Sequence, residues 1–221
     1  MLKSRAEMIE EFHAVLLNRY GITALNRHMV CGWSSVESQE ARFSALMRTL
    51  RYNGSSIVDF GCGTGDLYAF IVRNYGQVQY AGVDANEGML EIARHTHNTQ
   101  FIQCGFDEIS FKSAEFVVAS GVFQFQDASN PNYYEQLVKG LFSKSRIALA
   151  VNFLSATRRD SEKIDSELYL RPCQVVELAA SISPMWAIDH SYHVGFGDVT
   201  MALFHPDKNQ HWTRPKSIKP R

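Results

Sequence analysis

The sequence predicts an α/β fold with a mostly parallel sheet, and three observations lead to that prediction. Short β-rich apolar segments alternate with segments whose apolar residues recur at helical spacing, as in parallel sheets with right-handed crossovers. A glycine-rich turn joins the first strand to a helix, an arrangement that α/β proteins use to bind nucleotides. The length of 221 residues and the 45% hydrophobic content suit one compact domain.

The strands and helices can be assigned in chain order. A helix over residues 5–20 stops at Gly21, and the capping-box pattern Ser34–Glu37 opens a second helix that runs to about Arg51 and is terminated by Gly54. Parallel strands are predicted at 57–59, 78–84, 100–103, 115–120 and 146–152. Further helices are predicted from Asp66, near Asn86, at 108–112, from Asn130-Pro131 and at 172–182, before a closing hairpin of 185–190 with 198–204.

The turn after the first strand carries the most informative motif. Asp59 ends the strand, and Gly61, Gly63 and Gly65 follow at alternate positions before the helix at Asp66. Glycine accepts positive φ and lets a ligand approach the main chain. Dinucleotide-binding oxidoreductases, the rival class, carry G-x-G-x-x-G and place a pyrophosphate at the helix N-terminus. In this chain the third glycine comes one residue earlier than in G-x-G-x-x-G. The acid at the strand end suits a cationic aminoacyl group better than it suits a pyrophosphate.

A second acid ends the next predicted strand. Asp84 lies 19 residues after Gly65, where nucleotide-binding α/β folds place an acid that accepts hydrogen bonds from ribose hydroxyls. The alternative is that Asp84 only caps the helix that starts near Asn86. The two roles are compatible.

The motif Asp59-Phe-Gly-Cys-Gly-Thr-Gly65, together with the stretch from Gly82 to Leu90, resembles the class I S-adenosylmethionine-dependent methyltransferases. The resemblance covers residues 52–204 and implies a Rossmann-like three-layer sandwich with a seven-stranded sheet whose last strand is antiparallel. It divides the chain into an N-terminal helical lid (1–54), a methyltransferase core (55–206) and a polar, flexible tail (207–221). It implies in-line transfer of a methyl group from S-adenosylmethionine, leaving S-adenosylhomocysteine, without a metal.

The resemblance also implies a set of cofactor-binding residues. These are Asp59, Phe60, Gly61, Gly63, Gly65, Asp84, Ala85, Met89, Phe106, Asp107, Ser120 and Gly121. In this set the glycine loop holds the aminoacyl group, and Asp84 binds the ribose. The adenine is contacted by Ala85, Met89 and the two residues Phe106-Asp107. Phe106-Asp107 has an alternative interpretation as an ordinary turn before the predicted helix at 108–112.

The acceptor side is less defined by sequence. The substrate candidates are Trp33, Phe123, Asn152 and Tyr192, and the candidates for a general base are His190 and His193. An imidazole titrates near neutral pH, as a general base should, but a surface hairpin would also contain such residues. Arg42 could meet a carboxylate, or it could be an ordinary charge on an amphipathic helix.

Composition limits the classes of partner. A net charge of −1 gives no basic field for nucleic acid, and four scattered cysteines form no zinc or disulfide pattern. Ser120-Gly121 stands where nucleic-acid amine methyltransferases carry an Asp/Asn-Pro-Pro-aromatic run. No signal peptide or membrane-spanning run is visible, so we expect a cytoplasmic enzyme with a small-molecule acceptor. A dinucleotide oxidoreductase and a cofactor-binding protein without turnover are the alternatives, and the oligomeric state is not predicted.

Overall fold

The computed structural model describes residues 4–21, 26–106, 108–192 and 197–208 of the chain. The helices are α1 (Arg5–Tyr20), α2 (Arg27–Val30), α3 (Val36–Leu50), α4 (Asp66–Tyr75), α5 (Glu87–Thr96), α6 (Tyr133–Lys144) and α7 (Pro172–Ile182). The strands are β1 (Ile57–Phe60), β2 (Tyr80–Asp84), β3 (Gln100–Gln103), β4 (Ala114–Ala119), β5 (Ser145–Ser155), β6 (Tyr169–Leu170), β7 (Trp186–Asp189) and β8 (Asp198–Phe204).

The sheet has the order β3-β2-β1-β4-β5-β8-β7, and β6 pairs with the end of β5. Strands β1 to β5 are mutually parallel, whereas β8 runs antiparallel to both β5 and β7. The predicted Rossmann-like sheet with an antiparallel last strand is therefore confirmed. The short strand β6 was not predicted, because two residues carry no readable periodicity.

Helices cover both faces of the sheet and complete the three layers. Helices α3, α4 and α5 pack in one apolar cluster with one face of the strands, with Phe43, Ile71 and Leu90 among its members. Helices α6 and α7 pack in a second cluster on the other face, which contains Val138 and Val175. The carboxyl ends of the parallel strands thus remain open at one edge of the sheet, where ligands bind in such folds.

The N-terminal segment divides into two parts. Helix α3 belongs to the same apolar cluster as the sheet, so it forms part of the three-layer body. Helix α1 and its neighbour α2 lie outside that body, and Val30 and Leu17 pack there against α5. The guanidinium of Arg5 anchors α1 from its first turn, since it lies 4.2 Å from the Tyr133 ring centroid and 6.0 Å from that of Phe106.

Several element boundaries differ from the prediction for local reasons. Ser35, not Ser34, caps α3 by accepting a hydrogen bond from the Ser38 amide at 3.1 Å. The same helix ends at Arg51, which takes the left-handed conformation with φ 55°, so Gly54 is not its terminator. The described residues of the segment 108–112 form no helix. Strand β5 continues three residues beyond Asn152, its predicted end.

Helix α1 matches its prediction at both ends. Ser4 caps it through a capping box with Glu7, and Gly21 ends it. Of the predicted tail, only the first residues lie within the described part of the chain, where Pro206–Lys208 form one turn of 3-10 helix. Among the helices that the structure describes, none has both the length and the apolar character that crossing a membrane requires.

Candidate active site

A cavity of about 290 Å³ opens at the carboxyl edge of the sheet. Its floor comes from the ends of β1, β2, β4 and β5, and residues of α1 and α3 together with the segment between them form its roof. Ile9 and His13 of α1 lie in this roof. The volume is near the lower end of the usual range for small-molecule sites.

The glycine loop after β1 forms one wall of the cavity. Gly61, Gly63 and Gly65 all have positive φ, at 75°, 53° and 79°. Gly61 and Gly63 line the cavity, and a Cβ atom on Gly63 would lie 3.0 Å from the Cys31 sulfur. The loop therefore requires glycine at Gly63 both for its backbone conformation and for space.

Gly65 has a different function from the other two glycines. It caps α4 and does not line the cavity. A Cβ atom there would lie 2.8 Å from the His97 ring and 2.9 Å from the Phe101 ring. The third glycine of the motif thus allows α4 to approach β3 and the end of α5.

Asp84 connects the end of β2 to the glycine loop. Its Oδ2 accepts a hydrogen bond from the Gly63 amide at 2.8 Å, and its Oδ1 accepts one from the Asn86 amide at 2.9 Å. The N-cap of α5 is Asn86, whose Oδ1 accepts from the Met89 amide at 3.1 Å. Asp84 is therefore not merely the cap of α5. Burial raises the pKa of its carboxyl above the ordinary value.

Asp59 lies beneath the same loop and is 2% exposed. The Tyr80 hydroxyl donates a 2.6 Å hydrogen bond to its Oδ2. Burial raises the pKa of Asp59 to about 7, an effect that the Tyr80 bond partly opposes and the nearby Asp84 charge reinforces. A third acid, Asp66, also lines this end of the cavity and pairs with Arg27 at 3.3 Å. This end of the cavity is therefore acidic.

Another part of the cavity wall is built around Gly121, which follows β4. The Asn152 Oδ1 accepts a hydrogen bond from the Gly121 amide at 2.9 Å. The Trp33 ring covers the same glycine, since a Cβ atom on Gly121 would lie 3.1 Å from it. The Arg42 guanidinium lies 4.8 Å from the Trp33 ring centroid and forms an ion pair with Asp198 at the start of β8.

Most of the predicted cofactor and substrate residues meet at this one cavity. Those that line it are Asp59, Phe60, Gly61, Gly63, Asp84, Ala85, Met89, Phe106, Ser120, Gly121, Trp33, Phe123 and Asn152. Asp107 and His193 lie outside the described residues. Gly65 and Tyr192 are described but do not line the cavity, and the Tyr192 hydroxyl instead lies 2.7 Å from Thr200 Oγ1.

His190, the first candidate for the general base, also lies away from the cavity wall. Its Nε2 is 3.0 Å from Ser155 Oγ and 3.5 Å from Thr157 Oγ1, and the residue is exposed. The His190 ring therefore contacts hydroxyl groups at the end of β5 and just beyond it.

Sequence reasoning missed the ion pair between Arg42 and Asp198, two residues that line the cavity. Arg42 is 6% exposed and Asp198 is 3% exposed, so Arg42 is not the ordinary surface charge of an amphipathic helix. Asp198 carries no local signal, since it precedes an apolar strand at a position that suits a turn residue. Within the described residues, no group of three or more His, Cys, Asp or Glu side chains is arranged to hold a metal ion.

Comparison with known proteins agrees with this geometry. Residues 57–142 match the model of a family described as a methyltransferase domain. Over 81 residues the chain is 36% identical to a malonyl-[acyl-carrier protein] O-methyltransferase of Halalkalibacterium halodurans. The matched segment covers 33% of this chain and 30% of that protein. Over 97 residues it is 30% identical to a trans-aconitate 2-methyltransferase of Rhizobium rhizogenes, covering 42% of this chain and 36% of that protein. The chain thus matches about a third of the length of these curated relatives.

Solved structures extend the comparison to the fold. A magnesium protoporphyrin IX methyltransferase from Synechocystis PCC 6803, solved with bound S-adenosylhomocysteine, superposes with a TM-score of 0.61. The superposition covers 89% of this chain and 94% of that one at 10% identity, so it supports the fold alone. The family match covers the glycine loop and both strand-end acids, so residues 57–142 are similar to a methyltransferase domain, and the resemblance predicted from the sequence is confirmed.

Proposed function

We propose that this chain is an S-adenosylmethionine-dependent methyltransferase that acts on a small-molecule acceptor. The observation that carries the proposal is the meeting of Asp59, Gly63 and Asp84 at the acidic end of one cavity, with Asp84 bonded to the Gly63 amide. Bare backbone and carboxylates suit a ligand that carries an ammonium and ribose hydroxyls. They do not suit a pyrophosphate, which carboxylates would repel.

The residues at the acidic end fit this cofactor by their chemistry. Asp59 and Asp66 offer negative charge to the ammonium, and the bare main chain at Gly63 leaves space for the aminoacyl group. Asp84 ends β2, where an acid receives ribose hydroxyls in nucleotide-binding folds. Ala85, Met89 and Phe106 provide apolar surface for the adenine beside it.

When bound, S-adenosylmethionine supplies a methyl group on a sulfonium, which passes to the acceptor by in-line displacement. The chain's own contribution is then alignment and exclusion of water, which can account for much of the rate of such a reaction. Trp33, Gly121 and Asn152 enclose the space in which the acceptor is held. The roof residues Ile9 and His13 shield the cavity from solvent on the side of α1.

A small acceptor agrees with the size and cover of the cavity. The cavity of about 290 Å³ is small, and Ile9 and His13 of helix α1 contribute to its wall. The matched relatives are named for a malonyl-[acyl-carrier protein] and for trans-aconitate, so that small acyl groups are one acceptor class to test.

Two measurements test the proposal. Isothermal titration calorimetry should show binding of S-adenosylmethionine and S-adenosylhomocysteine, and no binding of NAD or NADP at the same concentrations. Dinucleotide binding without S-adenosylmethionine binding would favour the oxidoreductase alternative. A methyl-transfer screen against metabolite classes should then show turnover, whereas cofactor binding without turnover on any acceptor or cell extract would leave a silent binding protein.

A further inference from the structure

The acceptor end of the cavity contains an ion pair that the cofactor site does not require. Arg42 of α3 and Asp198 of β8 are both buried, and Arg42 Nε contacts Asp198 Oδ2. Arg42 Nη1 also donates hydrogen bonds to the Ser38 carbonyl at 3.0 Å and the Ser38 Oγ at 2.6 Å. The Trp33 ring stacks on the guanidinium. Arg42 is therefore fixed on three sides.

Stability alone is a weak reason for such a pair. Removing two charges from water costs free energy that their mutual attraction often fails to recover, and apolar residues of similar volume are commonly as good. Helix α3 forms a second arginine–aspartate pair with the sheet, Arg48 with Asp189, but Arg48 is 56% exposed and neither residue lines the cavity. Of these two pairs of α3, the buried one lines the cavity, as does a further buried pair between Arg158 and Glu167, whose charged atoms lie 3.8 Å apart.

Asp198 has an acceptor atom that its neighbours leave unused. Within the described part of the chain, both of its carboxylate oxygens are buried without a hydrogen-bond partner, and Oδ2 is in ion-pair contact with Arg42 whereas Oδ1 is not. The residue lines the cavity and is 3% exposed. A buried carboxylate oxygen without a partner is expensive, so its presence at a cavity wall points to a ligand that supplies a donor.

Burial makes the carboxylate of Asp198 more basic than usual. Burial raises its pKa, and the nearby charges of Arg42, Arg158 and His190 oppose that rise. Among the described residues, the titratable side chain of Tyr192 also interacts with it. A carboxylate in this environment is better suited to accept a proton near neutral pH than an exposed one.

We propose that Oδ1 of Asp198 accepts the hydrogen bond, and then the proton, of a neutral hydroxyl or amine acceptor, with Arg42 holding the carboxylate in position. The proposal rests on the proposed function and names its acceptor class. The inference departs from the carboxylate-bearing acceptors for which the matched relatives are named, since a carboxylate would meet the negative charge of Asp198 and needs no base. Arg42 Nε and Nη1 are already bonded to Asp198 and Ser38 and do not point to an acidic substrate.

The step balances in atoms and charge. The X–H bond of the acceptor breaks and its proton passes to Asp198, while the electron pair on X forms the bond to the methyl carbon. The carbon–sulfur bond breaks and its electron pair stays on sulfur, which becomes a neutral thioether. The products are the methylated acceptor, S-adenosylhomocysteine and a protonated Asp198, which returns its proton to solvent.

The first test identifies the product class with the wild-type protein. The probe is methyl-labelled S-adenosylmethionine with the small-molecule fraction of an extract of cells that encode this chain. Alkali releases volatile methanol from methyl esters but not from methyl ethers or methylamines, so we expect the label to remain non-volatile. Volatile label would overturn the inference and leave the proposed function intact. If no product is labelled although calorimetry shows cofactor binding, the proposed function itself fails, and the inference with it.

The second test uses Asp198→Asn, with Asp189→Asn as the matched control from the surface pair. Asp198→Asn should lower methyl transfer by about 100-fold or more and remove the rise of the rate with pH, with cofactor affinity unchanged by calorimetry. Asp189→Asn should change neither quantity. Loss of cofactor affinity in Asp198→Asn would mean that the Arg42–Asp198 pair serves cofactor binding, and it would overturn the proposal. A normal rate of methyl transfer in this variant would also overturn it.

A double variant addresses the charge that the single variant leaves behind. Asp198→Asn leaves Arg42 buried without its counter-ion, which can unfold the protein. The variant Arg42→Gln/Asp198→Asn removes both charges and should fold, bind the cofactor and still lack methyl transfer. Normal transfer by the double variant would contradict a role for Asp198 as the base.

Discussion

The two ends of the cavity are built in different ways. The cofactor end comes from Asp59, the glycine loop and Asp84, which lie within 26 positions of one another and end adjacent parallel strands. The acceptor end comes from Trp33, Arg42, Asn152 and Asp198, which the sheet topology brings together from both ends of the chain. The first end is a local motif on a rigid edge, whereas the second is a tertiary assembly. The two ends should therefore respond differently to mutation.

The largest effect is expected at the loop itself. Gly63→Val should abolish detectable cofactor binding, a loss of at least about 100-fold, because the side chain would enter the cavity wall and crowd Cys31. Gly76→Val is the matched control, since Gly76 has φ 87° and open space around it. Both variants should lose unfolding free energy from backbone strain, about 1–3 kcal/mol each, because both glycines have positive φ.

Calorimetry and thermal melting separate these two contributions. If Gly76→Val weakens cofactor binding as much as Gly63→Val does, then strain and not space is responsible. Tight binding by a folded Gly63→Val protein would remove the loop from the cofactor end.

The next effect concerns the acid at the end of β2. Asp84→Ala should weaken S-adenosylmethionine binding by about 1.5–3 kcal/mol, the scale of lost charge-assisted hydrogen bonds. Asp189→Ala is matched to it, because Asp189 also ends a strand and accepts a bond from the amide two residues on. That control should bind the cofactor normally. Unchanged affinity in a folded Asp84→Ala variant would exclude Asp84 from the site.

A smaller effect follows from the raised pKa of Asp59. With a pKa of about 7, its carboxyl is mostly neutral at pH 6 and mostly ionised at pH 7.5. Affinity for a ligand with an ammonium group should therefore rise about 5- to 10-fold over this interval. 5′-Methylthioadenosine, which lacks the ammonium, should show no such rise in the same titrations.

Tyr80→Phe sharpens this pH prediction. In the wild-type protein, the Tyr80 hydroxyl donates to Asp59 and lowers the pKa of Asp59. Removing this hydroxyl raises that pKa, so the rise in affinity should move to higher pH. An affinity that does not depend on pH between 6 and 7.5 would mean that the ammonium is held elsewhere.

The smallest effect is expected from the end of the chain. Deletion of residues 208–221, a polar and proline-containing segment, should change the free energies of cofactor binding and of unfolding by no more than about 0.5 kcal/mol. The melting temperature should therefore stay the same. A melting temperature several degrees lower would show that this segment packs on the folded protein.

The same contrast explains what the sequence could predict. Strand alternation and the spacing of Asp59, the glycines and Asp84 were sufficient for the fold and for residues that meet at the acidic end of the cavity, because these residues lie close together in the sequence. The pairing of Arg42 with Asp198 joins positions 156 residues apart, and no local pattern distinguishes either residue from a surface charge. The turn of His190 toward Ser155 depends on β5 extending three residues beyond Asn152, which its apolar pattern does not specify.

Gly65 has a consequence for how such domains are recognised in genomes. It packs against His97 and Phe101 and does not line the cavity, so its selection depends on folding. A descendant that lost the cofactor would still need this glycine to close α4 onto the sheet. Packing therefore requires the third glycine whether or not a ligand binds, whereas Gly63 and Asp84, which meet at the cavity wall, are the positions whose loss we expect to accompany loss of the proposed ligand.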